Sequence, residues 1–316
     1  MEKHYIKYNN INYVMPFLFC NDLFIPLLDR LLANEINPVK IVYGTVRCVW
    51  SGGRISLLDI PNPQRIEKYL KRVKTYNLIP TFTFTNPFLD EELLKDEFCN
   101  NILDIAYSLG CNFLVSTDLL YNHIKSRYKD AHLVCSIVRV HSFLEKNNYS
   151  IDETAFYNEM LDKNDLVVVR PEYVFENIEN LDKLINDIGR IEVIVNHECQ
   201  YGCKNPMIHY RTDYDVEMRK ITMTEYVERM KPICPLNKPG SYTAVFNDEM
   251  IDKLVQMGVK YYKVRGRTCS FDRLFNDLYI YFFNNKKVKK EEIRNEADKI
   301  CLDLIQTKKM AQLSYV

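Results

Sequence analysis

Eight short runs rich in β-branched and aromatic residues recur along the 316-residue chain, and amphipathic helical patterns separate most of them. The runs cover residues 13–19, 39–46, 79–85, 113–117, 132–140, 166–170, 191–195 and 260–265. Three helix-to-strand joints carry a glycine, in "AYSLGCNFLVS", "INDIGRIEVIV" and "LVQMGVKYYKV", where a left-handed cap would stop a helix just before an apolar strand. Asn21, Asn62 and Asn247 stand near helix starts as side-chain caps. Strand and helix repeated eight times with right-handed crossovers close most economically into a (β/α)8 TIM-type barrel. A doubly wound open sheet would want a glycine-rich first turn, and "LFCNDLF" has none. The expected organisation is one barrel domain over residues 1–286 and a C-terminal amphipathic helix over 287–316, packed on or beside the barrel.

Composition excludes several classes. Hydrophobic residues make up 47% and charged residues 27%, and 42 basic residues balance 42 acidic ones, so net charge forecasts neither a polyanion nor a membrane surface as partner. No stretch reaches the ~20 apolar residues of a spanning helix, and a cytoplasmic location is expected. Ten cysteines are too few for a disulfide scaffold, and Cys111, Cys135 and Cys301 sit in apolar runs as small hydrophobes. No Walker or dinucleotide-binding glycine motif is present.

In a TIM barrel the chemistry is built at the C-terminal strand ends, and here those positions are polar. Arg47 and Cys48 follow the second run, Thr85 and Asn86 the third, and Asp118 the fourth; Arg139 and His141 end the fifth, and Arg170 and Glu172 the sixth. The stretch Asn196 to Cys199 follows the seventh, and Arg265, Arg267 and Thr268 the eighth. In "YYKVRGRT", Lys263, Arg265 and Arg267 share one strand parity. Inward-facing cations need a partner, because an unpaired buried charge costs several kcal/mol. Two readings stay open: ion pairs with Glu172, Asp118 or Glu198, or an anionic substrate held by Arg47, Arg139, Arg170, Arg265 and Arg267.

Cys199 and Cys203 are spaced C-x3-C after the seventh run, and Cys234 lies in the long connection that follows. Thiolates from several loops at one barrel mouth could meet on zinc or an iron-sulfur cluster. "HECQY" is not a zincin helix, since position 201 is Tyr201 rather than a second histidine. A nucleophilic pair of Cys199 with His141 or His197 is a further candidate.

"IEVIVNHECQYGCKNPMIHY", followed by "CPLNKPGSYTAVFNDEMIDKLVQMGVKYYKVRGRT", resembles the collagenase-like peptidase family of the U-32 type. The upstream stretches "YGTVRCVWSGGR" and "STDLLYNHIKSRYKDAHLVCSIVRVHS" fall in the same order, so the resemblance spans most of the chain. It implies a TIM-type barrel. Several members of that family resemble cluster enzymes, with a four-cysteine [4Fe–4S] centre supporting oxygen-independent hydroxylation of a ubiquinone precursor or of RNA bases. Carried over, the ligands are Cys48, Cys199, Cys203 and Cys234, with zinc as the alternative metal. His197, Glu198 and His209 become proton-transfer candidates, and His197, Glu198 and His141 the catalytic set. The chain departs from the pattern at Lys204, where proline is usual, and at Pro206, where arginine is usual. The implied partners are a small-molecule or RNA substrate with an anionic group and a second protein of the same family. The other functions in view are a peptidase using a metal or cysteine, and a non-catalytic cluster-binding partner.

Overall fold

The computed structural model describes residues 5–53, 62–234, 243–267 and 269–306. Its centre is a closed barrel of eight parallel strands: β1 (Asn12–Met15), β2 (Val39–Gly44), β3 (Ile79–Phe84), β4 (Asn112–Val115), β5 (Leu133–Cys135), β6 (Leu166–Val169), β7 (Ile191–Ile194) and β10 (Tyr261–Lys263). Each strand pairs with its neighbour in sequence, and β10 closes the ring between β7 and β1. The eight expected runs are these eight strands. The TIM-type barrel is therefore the fold.

Alternation along the strands sorts side chains between two cores. Val14, Ile41, Tyr43, Leu114, Val134, Leu166, Val168 and Ile194 form a buried cluster filling the barrel. The opposite parity, including Val42, Phe82, Phe84, Phe113, Val115, Val167, Val169 and Val193, packs against the surrounding helices in a second, larger core. Among the inward residues, Glu192 of β7 and Lys263 of β10 form a salt bridge of 2.6 Å, with only 3% and 8% of their side chains exposed. The Lys263 ammonium also lies 4.2 Å from the centre of the Tyr43 ring. The innermost cation of the parity-matched trio is thus paired, with Glu192.

Of the three glycine joints, Gly110 (φ 66°) and Gly258 (φ 95°) take the left-handed conformation, whereas Gly189 lies in a short 3-10 turn and does not. Asn62 and Asn247 cap α2 (Pro63–Lys74) and α11 (Asp248–Gln256), accepting from the amides of Arg65 and Met250. Asn21 does not cap α1 (Phe24–Leu31): it has φ 56°, and its side-chain amide donates to the carbonyls of Gly266 and Arg267, bracing the exit of β10.

The fifth run is shorter than its composition suggests. β5 ends at Cys135, the Ser136 hydroxyl accepts from the Val138 amide, and α5 (Ile137–Lys146) begins there. A short polar cap redirects a β-branched run into a helix, whose Val138 and Val140 are buried instead along a helical face. Arg139 and His141 are consequently buried helix residues and not strand-end residues. The opening of the polar segment after β7 is itself a strand, β8 (Asn196–Gln200), paired antiparallel with β9 (Thr243–Val245) outside the barrel.

The C-terminal α13 (Lys290–Gln306) packs on α1, burying Ile293, Ala297 and Leu304 and pairing Asp303 with Arg30. No described helix is long and apolar enough to cross a membrane.

A candidate active site at the barrel mouth

The connection between β8 and β9 carries two helices, α9 (Pro206–Glu217) and α10 (Met223–Met230). Met207 and Tyr210 of α9 pack on Val138 of α5, and the Arg211 guanidinium lies 3.3 Å from the centre of the Phe88 ring. At the far end Glu217 bonds Arg47 at 2.7 Å, with both side chains nearly buried. Gly53, at φ 74°, lies against α9: a Cβ there would stand 2.8 Å from the Asp213 backbone. These contacts fix α9 as a cover over the C-terminal ends of the strands.

Beneath α9 lies a cavity of about 120 Å³. Tyr43 of β2 and Lys263, Arg265 and Arg267 from β10 and its exit line it, with Thr83, Thr85 and Ser136 supplying hydroxyls. His197 and Cys199 enter from β8, Cys269 from the loop before α12 (Phe271–Tyr281), and His209, Tyr210 and Asp213 from α9. Arg265 is set by its backbone: the Asn196 carboxamide accepts from its amide at 2.8 Å and donates to its carbonyl at 3.1 Å. Arg267 donates to the Thr83 hydroxyl at 2.6 Å. Gly266 between them has φ 140°, a conformation that favours glycine. The hydroxyl of Thr85, a residue only 3% exposed, has no hydrogen-bond partner among the described residues. A buried polar atom of this kind calls for one, and Thr85 is among the residues that line the cavity.

Of the five arginines expected to hold an anion, Arg265 and Arg267 reach the cavity. Arg47, Arg139 and Arg170 do not line it: Arg47 pairs with Glu217, Arg139 with Asp118, and Arg170 with Glu153 and, at 3.5 Å, Glu172. Burial raises the Glu172 carboxyl above its usual range, against the opposing pull of Arg170. Of the expected catalytic set, His197 lines the cavity, while His141 lies behind Tyr210, ring centres 6.0 Å apart. The Glu198 side chain and Thr268 fall outside the described residues. Tyr210 and Asp213 were not singled out from sequence; the signal was the buried stripe Met207, Tyr210, Tyr214 and Glu217 at helical spacing.

A second pocket of about 20 Å³ adjoins the first, lined by Cys199, Cys203, Cys234 and His209 together with Gln200, Asn205, Met230 and Ile233. Cys199 and His209 line both spaces. Asn205 organises this corner, its amide donating to the Cys203 sulfur at 3.5 Å and its side chain to the Ile233 carbonyl at 3.2 Å. His209 Nε2 lies 3.0 Å from the Tyr226 hydroxyl and 3.4 Å from an Asp213 carboxylate oxygen. Burial raises the pKa of the Cys203 thiol, and the neighbouring Cys234 adds to the effect.

Three of the four cysteines implied as ligands therefore converge, and Cys48 stands elsewhere. It is buried in the outer core, and its hydrogen bond is the largest influence raising the Cys99 thiol. Its electrostatic neighbour on α9 is Tyr214, eight residues beyond Pro206 and so about 12 Å along the helix from the end nearest Cys203. Among the described residues, no group of three or more His, Cys, Asp or Glu side chains is arranged to hold a metal ion as it stands.

Fold and site define a (β/α)8-barrel protein with a covered, cationic mouth. No protein-family model and no curated protein matches the chain. Among solved structures, it is similar to the U32 peptidase Mk0906, with TM-score 0.51 and 12% identity over 85% of this chain and 97% of that one. It also aligns with dihydropteroate synthase from Thermus thermophilus in complex with 4-aminobenzoate, at TM-score 0.29 and 13% identity over 84% and 93% of the two chains. The first likeness is one of fold: a U32-peptidase-like TIM barrel.

Proposed function

We propose that this chain is a U32-type barrel enzyme that modifies a small anionic substrate, or one anionic group of a larger biosynthetic intermediate or RNA, at the covered mouth. The observation that carries this reading is the meeting of Arg265, Arg267 and Thr85, whose hydroxyl has no partner among the described residues, around one cavity that two histidines also line. Guanidinium groups bind carboxylate or phosphate through charge-assisted hydrogen bonds. Thr85 would take a polar atom of the bound group, and His197 and His209 stand at the wall to move protons. The cavity volume is of the order of a single-ring site, since an apolar cavity of ~150 Å³ accepts benzene. One ring or one phosphate fits, and the cover formed by α9 disfavours an extended peptide.

The family resemblance implies a [4Fe–4S] cluster held by Cys48, Cys199, Cys203 and Cys234. The four-cysteine set with Cys48 does not fit the arrangement of the chain, and the roles assigned above depend only on its own side chains.

The test is anion binding, followed by thermal shift with inorganic phosphate and with benzoate. One of these probes should raise the Tm of the native protein, and Arg265→Gln and Arg267→Gln should each weaken that binding by about tenfold or more, corresponding to the loss of one charge-assisted contact. No response to either probe, or an undiminished response in both variants, would refute the anion site.

A further inference from the structure

Glu192 and Lys263 are charged side chains in a barrel interior filled largely by Val14, Ile41, Leu114, Val134, Leu166 and Val168. Stability alone does not account for such a pair, because an apolar replacement of the same volume serves as well or better. A desolvated lysine is, in contrast, a common nucleophile toward carbonyl groups, and in a TIM barrel the working side chains stand at the C-terminal strand ends. Lys263 is the last residue of β10, and it lines the mouth cavity. The geometry points to Lys263 as an imine-forming lysine for a small 2-oxo acid, with Glu192 as its proton carrier. This activity deepens the anion site proposed above and rests on it.

The surroundings suit that chemistry. A Glu192 carboxylate oxygen stands 2.6 Å from the Lys263 nitrogen, within reach of its proton. Arg265 follows Lys263 by two residues on the same parity, about 7 Å along an extended chain, and Arg267 comes next; both line the cavity with Lys263. Arg267 and Lys263 also lie beside one ring, the guanidinium carbon 6.0 Å and the ammonium nitrogen 4.2 Å from the centre of Tyr43. In a 2-oxo acid the carboxylate and the carbonyl are on adjacent carbons, so a carboxylate held by the arginines brings the carbonyl toward the lysine. Neighbouring cations favour the uncharged amine that attacks. Leu114, Val168 and Ile194 line the same cavity and restrict the water that would hydrolyse the imine.

The step balances without a further reactant. Glu192 takes one proton from the ammonium, and the freed amine attacks the carbonyl carbon to give a carbinolamine. Glu192 then returns the proton to the new hydroxyl; the C–O bond breaks, water leaves, and the nitrogen lone pair closes the C=N bond. Ammonium and ketone thus become iminium and water, with the same net charge before and after. Glu192 and the Tyr43 ring face an iminium where they had faced an ammonium, so no buried charge loses its partner.

The full chain is incubated with pyruvate, reduced with borohydride, digested and mapped by mass spectrometry. Lys263 should gain one carboxyethyl group at a level about tenfold or more above any other lysine, and benzoate should slow the labelling. Acetaldehyde, which has the carbonyl and no carboxylate, should label Lys263 at least about tenfold less. Arg265→Gln and Arg267→Gln should each lower pyruvate labelling by about tenfold, and Glu192→Asp, which draws the carboxylate back, should slow it by a similar factor. Lys263→Arg keeps a cation for Glu192 and should lose the label. A native chain with no label at Lys263, or with label spread evenly over its lysines, would overturn the imine. Equal labelling by acetaldehyde would overturn the oxo-acid assignment, and an undiminished rate in Glu192→Asp would overturn the role of Glu192. A thermal shift with phosphate or benzoate but no label at Lys263 sinks the imine alone; label at Lys263 with no anion response, and unchanged in both arginine variants, sinks the anion site instead.

Discussion

Removing Glu192 from the barrel interior should destabilise the fold far more than its single hydrogen bond suggests. The Glu192–Lys263 pair is 2.6 Å long and almost wholly buried. At an effective dielectric constant near 20, two unit charges at that distance attract by about 6 kcal/mol. Desolvating the two ions costs several kcal/mol each, so the pair as a whole contributes little compared with an apolar replacement of the same volume. Glu192→Gln removes the attraction and keeps the desolvated ammonium, which predicts a loss of about 3–5 kcal/mol in urea unfolding. Lys263→Met should cost a similar amount. The double variant should cost less than the two single losses added together, by about 2 kcal/mol or more, because neither ion is then stranded. Single losses below about 1 kcal/mol, or strict additivity, would refute the reasoning. Lys263 also lines the mouth cavity, so an anion that binds there should recover more of the stability of Glu192→Gln than of Lys263→Met, in which only the arginines remain to hold it.

Two further perturbations test other parts of the fold. A Cβ at Gly44 would lie 1.9 Å from the Leu18 carbonyl oxygen, so Gly44→Ala must move backbone at the end of β2 and should cost at least about 1–3 kcal/mol; an unchanged melting temperature would contradict this. Burial raises the Asp22 carboxyl to about 6, against an ordinary value near 4. A raised carboxylate pKa contributes stability that is fully present below about pH 4 and lost as pH rises through 6, so Asp22→Asn should stabilise at pH 7.5 by up to about 3 kcal/mol and change little at pH 4. Part of the Asp22 surface stays in water, which lowers that ceiling. Equal effects at the two pH values would disprove the assignment.

The barrel was legible because each strand is an apolar run too short for a helix and bounded by polar or glycine-containing joints. "HLVCSIVRV" misled at its second half, since β-branched residues serve a buried helix face as well as a strand, and the deciding element was one hydroxyl, that of Ser136. The pairing of β8 with β9 was not legible. It joins a polar segment to one more than forty residues later, and no local periodicity records such a partner. The arginines illustrate the same limit. Strand-end position nominated five, but an ion-pair partner is a tertiary fact, and Glu217, Asp118 and Glu153 occupy three of them. The C-x3-C spacing pointed to Cys199 and Cys203, while the arrival of Cys234 and the placement of Cys48 depended on the course of α9 and α10.

At Asn196 a single side chain replaces a length of sheet. Its carboxamide bonds both the amide and the carbonyl of Arg265 and donates again to Asp277 at 2.9 Å, so one residue does for β10 what a neighbouring strand would do if the barrel continued upward. The path of the chain at position 265 is thereby fixed by contacts that do not involve the side chain of residue 265. Position 265 can exchange one functional group for another while the backbone holds its place, and position 196 cannot. In a lineage of such barrels, new substrates would be acquired at the first position and the architecture of the mouth kept at the second.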